Sequence, residues 1–412
     1  MDNASKPRVR IVGGGIAGLE AAMALSDMVG DRAEISLIAP EPDFTYKPLV
    51  VEEPFTQQPA ERHELEPLFA ELGVSFVRGA LERVSPEAHE VELADGSKLE
   101  YETLIVCVGG RPRPAYAAAE TFWSNTDDLA VGELIERADG SPSRTLALMV
   151  PPGTSWTLPL YELALMTRRR AEELGRYELR MRLLTPEEAP LLIFGRRASD
   201  AVAELMAARR IDVDAQTQVV EGEDRRLLLM PGESALEAGA VIALPTIEGP
   251  RISGLPADPH GFIPVDSYGR VAGVADVYAA GDGTTFPVKQ GGLATQQADS
   301  AAAQIAASLG AAVEPAPFRP VLRGQLITGM DSLNLRHELA GGAGEGVASA
   351  DYLWWPPQKV SGRYLSAWLA HTAPHAEVEP PAHALDVEVS LPHEWHAEPM
   401  AFDAEVSPGV GD

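Results

Sequence analysis

The sequence predicts an α/β fold built from two strand–turn–helix–strand units of Rossmann-like, dinucleotide-binding type, followed by a small C-terminal region. Three observations predict it. Strand-like and helical runs alternate along 412 residues, 45% of them hydrophobic, as expected for helices layered on a largely parallel sheet. Residues Val9 to Leu25, VRIVGGGIAGLEAAMAL, run from a β-branched strand through three glycines into an Ala/Leu-rich helix. The same order returns at residues 144–184, with a different turn.

In the first turn Gly13, Gly15 and Gly18 stand at G-x-G-x-x-G spacing. That spacing permits a tight turn, close backbone approach to a pyrophosphate, and close helix–sheet packing. Ile16 and Ala17 belong to the helix start, where N–H groups and the helix dipole face a phosphate. The second strand, residues 35–39, ends at Ala39-Pro40-Glu41. Glu41 is placed to meet a ribose hydroxyl, or else is a solvated loop residue. The loop Phe44-Thr45-Tyr46-Lys47-Pro48-Leu49 suits a flat cofactor, with Lys47 at its edge or on the surface.

A helix is expected at 61–72 and strands at 74–84 and 89–93. Asp95-Gly96 is a hairpin turn, and a strand is expected from Lys98 to Val108. It ends in Cys107-Val108-Gly109-Gly110-Arg111, where two glycines again allow close backbone approach. Cys107, in an apolar run, reads as a buried, unreactive thiol.

The second unit has a strand at 144–150, the turn Pro151-Pro152-Gly153-Thr154-Ser155-Trp156, a helix at 158–174, a strand at 178–184 and a helix at 199–209. One glycine stands where a dinucleotide turn needs three. Short strands are expected at 241–247 and 262–266. A buried strand then runs into Gly281-Asp282, and Lys289-Gln290-Gly291-Gly292 opens an alanine-rich helix, 293–309. A carboxylate at such a strand end can accept from a sugar or ribityl hydroxyl. The helix-start N–H groups can face a ring carbonyl that gains charge on reduction.

Two short strands are expected at 318–328. The Trp354-Trp355-Pro356-Pro357 segment leads into an amphipathic stretch with Tyr364, Leu365, Trp368 and Leu369, read as a core or dimer contact rather than a membrane anchor. From 373 to 412 the chain is acidic and proline-rich, and reads as a disordered tail. Five of nine histidines, His371, His375, His383, His393 and His396, fall in or next to it at spacings that match no metal site.

The net charge of −28 argues against nucleic acid and anionic membranes as partners. One cysteine rules out an internal disulfide or a two-cysteine redox centre in one subunit. No apolar leader and no run of about eighteen apolar residues is present, so a cytoplasmic location is expected.

VRIVGGGIAGLE, LIVCVGGRPRP, VYAAGD and KQGGLATQQADSAA occur in that order. With them the chain resembles the FAD-dependent pyridine nucleotide-disulfide oxidoreductase-like flavoproteins, above all the sulfide:quinone reductase and type II NADH dehydrogenase branch. The resemblance implies a discontinuous FAD-binding domain (1–112 and 246–315), an inserted NAD-binding-like domain (113–245) and a C-terminal region (316–372). It implies that Gly13, Gly15 and Gly18 hold the FAD pyrophosphate and Asp282 the ribityl chain, with Gly281, Lys289, Gln290 and Gly291 along the flavin, together with Cys107, Val108, Gly109 and Arg111. Two departures stand out. The redox cysteines of sulfide:quinone reductases are missing, and PPGTSWTLPLYE replaces the NADH fingerprint. Glu162, which closes that motif, is expected near the flavin, paired with Lys47; otherwise it is a first-turn helix carboxylate. The expected activity passes electrons from a small-molecule donor through FAD to a quinone-like or protein acceptor. An NAD(P)H:acceptor reductase and a non-catalytic, redox-sensing flavin-binding module are the alternatives, and a homodimer is compatible with each.

Overall fold

The glycine turn joins β1 (Arg8–Val12) to α1 (Ile16–Val29), and β2 (Glu34–Ala39), β3 (Ser75–Arg78) and β4 (Thr103–Val106) follow. The computed structural model describes residues 6–56, 61–122, 129–223, 225–339 and 344–372. A second unit contains β5 (Glu120–Thr121), β6 (Thr145–Met149), α2 (Leu158–Glu173), β7 (Arg180–Leu184), β8 (Ile211–Asp214) and β9 (Ala240–Ala243). The chain then returns to the first unit with β10 (Val277–Ala279) and α3 (Gly291–Ser308). It ends in an antiparallel sheet of β11 (Val321–Leu326), β12 (Leu333–Glu338) and β13 (Val347–Ser349), and in α4 (Leu365–Thr372).

Both large sheets are parallel and share one plan. Strand order is β10-β4-β1-β2-β3 in the first and β5-β9-β6-β7-β8 in the second. In each, the strand before the turn is central, so the turn opens at the carboxyl edge where the strand order reverses. That edge is where doubly wound sheets bind ligands.

Parallel strands are covered on both faces, which explains their near-continuous apolar sequence. On one face of the first sheet, α1 and α3 pack through small residues, among them Ala17, Ala21, Ala294, Ala298 and Ala301, all buried. On the other lies a meander of residues 81–85, 90–93 and 98–100, which buries Val84, Val91 and Leu93 against Val12, Leu104 and Val106.

Several expected elements divide where the chain changes partner. The 98–108 run is two strands, because Tyr101 N donates to His89 O in the meander while Glu102 N donates to Arg8 O in the central sheet. The 74–84 run breaks at Gly79, where a Cβ would lie 2.5 Å from Leu93 Cδ1. The 61–72 helix is a strand at Arg62–Glu64 followed by a helix at Leu65–Glu71. The 241–247 run is β9 plus Thr246–Glu248, which pairs antiparallel with Arg111–Arg113. Residues 262–266 form only single bridges, Ile263 to Thr284 and Val265 to Val271. The 318–328 run holds one strand, β11, whose partner is β12.

Trp354 and Trp368 are buried, and the Trp368 ring meets His63 edge-on at 4.7 Å. The Trp-rich segment is therefore a core contact. The expected tail, 373–412, lies outside the described residues. Among the described residues no helix is long and apolar enough to cross a membrane, and no cluster of three potential metal ligands occurs.

Candidate functional site

The site is assembled by three loops at the carboxyl ends of β1, β4 and β10. Gly13 has φ +116°, and a Cβ there would lie 2.3 Å from Cys107 O. A Cβ on Gly18 would lie 1.8 Å from Gly13 O. Both glycines are thus required by the protein's own packing. Gly15 differs: its Cβ would meet nothing within 4 Å. Its small size keeps a surface clear in front of the α1 N-terminus, where the residues Ile16 and Ala17 begin the helix. Gly109 (φ +71°) is open in the same way, and a Cβ on Gly283 would lie 3.0 Å from Gly109 O, so the second and third loops touch. Cys107 forms the floor; its thiol is buried, free and pushed up to about 12 by burial. Glu41 follows β2 and is exposed, while Arg111 is exposed on the short strand beyond Val108 and Gly109.

Asp282 sits at the end of β10. Burial raises its carboxyl pKa, and the charges of Lys289 and Lys47 oppose that rise. Gly281 N donates to Gln297 Oε1 at 2.7 Å, a contact from α3 that local sequence reading did not reveal. Lys289 is tied to its own loop. Its ammonium donates to Thr284 O (2.6 Å) and Phe286 O (2.7 Å) and lies 3.8 Å from the Phe262 ring centroid. Desolvation there pulls it down to about 8. Gln290 is likewise committed to structure: it caps α3, its Oε1 accepting from Leu293 N, and its Nε2 donates to Arg323 O. What α3 offers a ligand is its first turn, at Gly291 and Gly292, whose N–H groups precede the first intrahelical bond. A Cβ on Gly291 would lie 2.9 Å from Ile16 Cδ1 and 2.8 Å from Val360 Cγ2, so the starts of α1 and α3 and the segment at Val360 converge.

That segment changes the expected partner of Glu162. Glu162 is fully buried; Oε1 accepts from Ile327 N (2.9 Å) and Oε2 from Lys359 Nζ (2.8 Å). Lys359, not Lys47, is the paired cation, and Lys47 is an exposed residue whose charge acts on Asp282. Burial holds the Glu162 carboxyl above its ordinary range, with the Lys359 charge opposing. Residues 360–365 are tied down across the molecule. Val360 N donates to Tyr46 Oη, Thr295 Oγ1 to Ser361 O, and Tyr364 N and Leu365 N to the buried Glu20 carboxylate. Lys359 is 197 residues from Glu162, so no local pattern joins them.

The family model for pyridine nucleotide-disulphide oxidoreductases matches residues 6–148 and 161–304. The chain belongs to that family. Sulfide-quinone reductase of Aquifex aeolicus is 26% identical over 265 residues, 59% of this chain and 59% of that protein. Alternative NAD(P)H-ubiquinone oxidoreductase C1 of Arabidopsis thaliana is 23% identical over 332 residues, 68% of this chain and 62% of that protein. Demethylphylloquinone reductase of Synechocystis is 25% identical over 351 residues, 77% of this chain and 83% of that protein. The alignments thus span about three fifths of the first two relatives. The crystal structure of the Aquifex aeolicus sulfide:quinone oxidoreductase shares the fold, with a TM-score of 0.75 at 20% identity over 83% of this chain and 86% of that one.

The cradle of this family member suits FAD. Gly15 clears space at a helix N-terminus for a pyrophosphate. Glu41, just past β2, would meet a ribose, the Asp282 carboxylate would accept from a hydroxyl, and the N–H groups at the α3 start would face a ring edge.

Proposed function

We propose that this chain is an FAD-dependent oxidoreductase that carries electrons from a small donor to a quinone-type acceptor. The buried Glu162–Lys359 pair beside the cradle is the observation that carries this reading. FAD supplies the two-electron redox chemistry. Quinone reduction takes up two protons with its two electrons, and a water-poor site needs a side chain to hold them. Glu162 has the fitting character: fully buried, pKa raised, one oxygen fixed by Ile327 N and the other on the Lys359 ammonium. The pair can hold a proton at the Glu162 Oε2–Lys359 Nζ contact and pass it on without moving the backbone. Gly291 and Gly292 place positive dipole ends where negative charge gathers on reduction. Relatives named as quinone reductases support the acceptor class. The one cysteine, buried and of raised pKa, does not fit a two-cysteine sulfide mechanism.

The test begins with the visible spectrum of the purified chain. Flavin absorbance is expected, followed by bleaching with dithionite under anaerobic conditions and recovery on adding a soluble quinone. Lys359→Met should retain flavin, slow the quinone step by about ten-fold or more, and move its pH profile. Failure to bind FAD, or an unaltered Lys359→Met rate and profile, would overturn the proposal.

A further inference from the structure

The two parallel units can be compared within this one chain. In each, the strand after the helix ends in a residue–Pro–Glu step: Ala39-Pro40-Glu41 after β2 and Thr185-Pro186-Glu187 after β7. In each, one residue immediately precedes the helix: Gly15 before α1 and Thr157 before α2. Glu41 and Glu187 therefore hold the same place in the fold, the place from which an acidic side chain meets a ribose.

Their surroundings differ. Glu41 is exposed. Glu187 is already engaged through both oxygens: Oε1 accepts from Thr157 Oγ1 (3.0 Å), and Oε2 accepts from Tyr161 Oη (2.8 Å) and Thr185 Oγ1 (2.8 Å). Tyr161 and Thr185 are fully buried and Thr157 nearly so. Three hydroxyls of the chain thus do on Glu187 what the two hydroxyls of a ribose do on an open site. The phosphate end is altered as well. Where the first turn has Gly13, Gly14 and Gly15, the second has Pro151 and Pro152, and Pro159 lies in the first turn of α2. These prolines have no N–H to donate. Trp156, in the same turn, packs with its ring 5.8 Å from that of Phe194.

We infer that the second unit is closed to adenine dinucleotides by the chain's own hydroxyls, which occupy Glu187, so that the electron donor is neither NADH nor NADPH. Only the consequence for the donor rests on the oxidoreductase reading above. Glu187 serves instead as an internal anchor that ties the turn and the α2 start to the end of β7.

The purified full chain is titrated with NADH, NADPH and ADP-ribose by calorimetry and by tryptophan fluorescence, to which Trp156 is one of six contributors. Flavin content and dithionite bleaching are recorded on the same sample, so failure of the oxidoreductase reading is seen separately. No saturable binding is expected at concentrations up to about 1 mM. Glu187→Gln should leave that result unchanged and lower the melting temperature; Tyr161→Phe, which removes a single hydroxyl, should lower it less. Saturable binding of any of the three ligands below about 1 mM overturns closure, whatever the variants do. A Glu187→Gln protein that melts with the wild type overturns the anchoring role.

Discussion

Gly15 is small for a reason that the protein's own packing does not supply, and this separates it from its neighbours. A Cβ at position 18 strikes Gly13 O, whereas one at position 15 meets nothing, and Gly15 has an ordinary extended conformation at φ −93°. Gly18→Ala is therefore an overpacking change expected to cost about 1–3 kcal/mol or more. Gly15→Ala should cost under about 1 kcal/mol as a helix-cap change, yet should remove most of the bound flavin. Thermal melts of the apoproteins, set beside the ratio of flavin to protein absorbance, check both. A Gly15→Ala protein that keeps full flavin would show that the cofactor does not approach there. This turn was legible in the sequence because strand, glycines and helix follow one another within Val9 to Leu25, although the close approach of Cys107 O to Gly13 was not. The Glu162–Lys359 pair was not: Glu162 sits at a recognisable motif end, but its cation arrives from a segment placed only by tertiary packing. Glu187 did carry a local signal, the repeated Pro-Glu step, which is overlooked when only the glycines of the second turn are compared.

Among the elements, the segment 359–365 with α4 shows best how packing decides a site. Its backbone N–H groups at Tyr364 and Leu365 are received by Glu20, a carboxylate in the middle of α1 at the N-terminus of α4. Negative charge at that end is favourable through the dipole, and two buried donors would otherwise lack a partner. Glu20→Ala should destabilise the fold by about 2–4 kcal/mol through those orphaned donors. It should also expose residues 344–372 to limited proteolysis at temperatures where the wild type resists. Equal resistance of the two proteins would remove the claim that Glu20 anchors the segment. Helix and strand types in the two parallel units follow from periodicity, and their boundaries lie close to expectation. The strand breaks at Gly79 and at Tyr101-Glu102 do not, because each marks a change of partner between sheets, which periodicity does not encode.

At the scale of the molecule, charge and burial act together on stability. Burial raises the carboxyl pKa values of Glu20, Glu162, Glu187 and Asp282. For such groups the native state holds more protons than the unfolded chain, so their contribution is fully present below the unfolded value and is lost as pH rises through the folded one. His63 works in the opposite sense, since burial lowers it from 6.5, but its contribution is complete above that pH. Lys289, lowered to about 8, opposes the carboxyls only from about that pH upward. The net charge of −28 adds self-repulsion that grows as residual protons leave. The melting temperature is expected to fall as pH rises above the ordinary carboxylate range at low ionic strength. Added salt should narrow the gap by screening the surface term and leave the buried term. Glu20→Gln, which cannot ionise, should flatten what remains. A melting temperature that does not fall above that range would mean that the buried carboxyls titrate as they do in the unfolded chain.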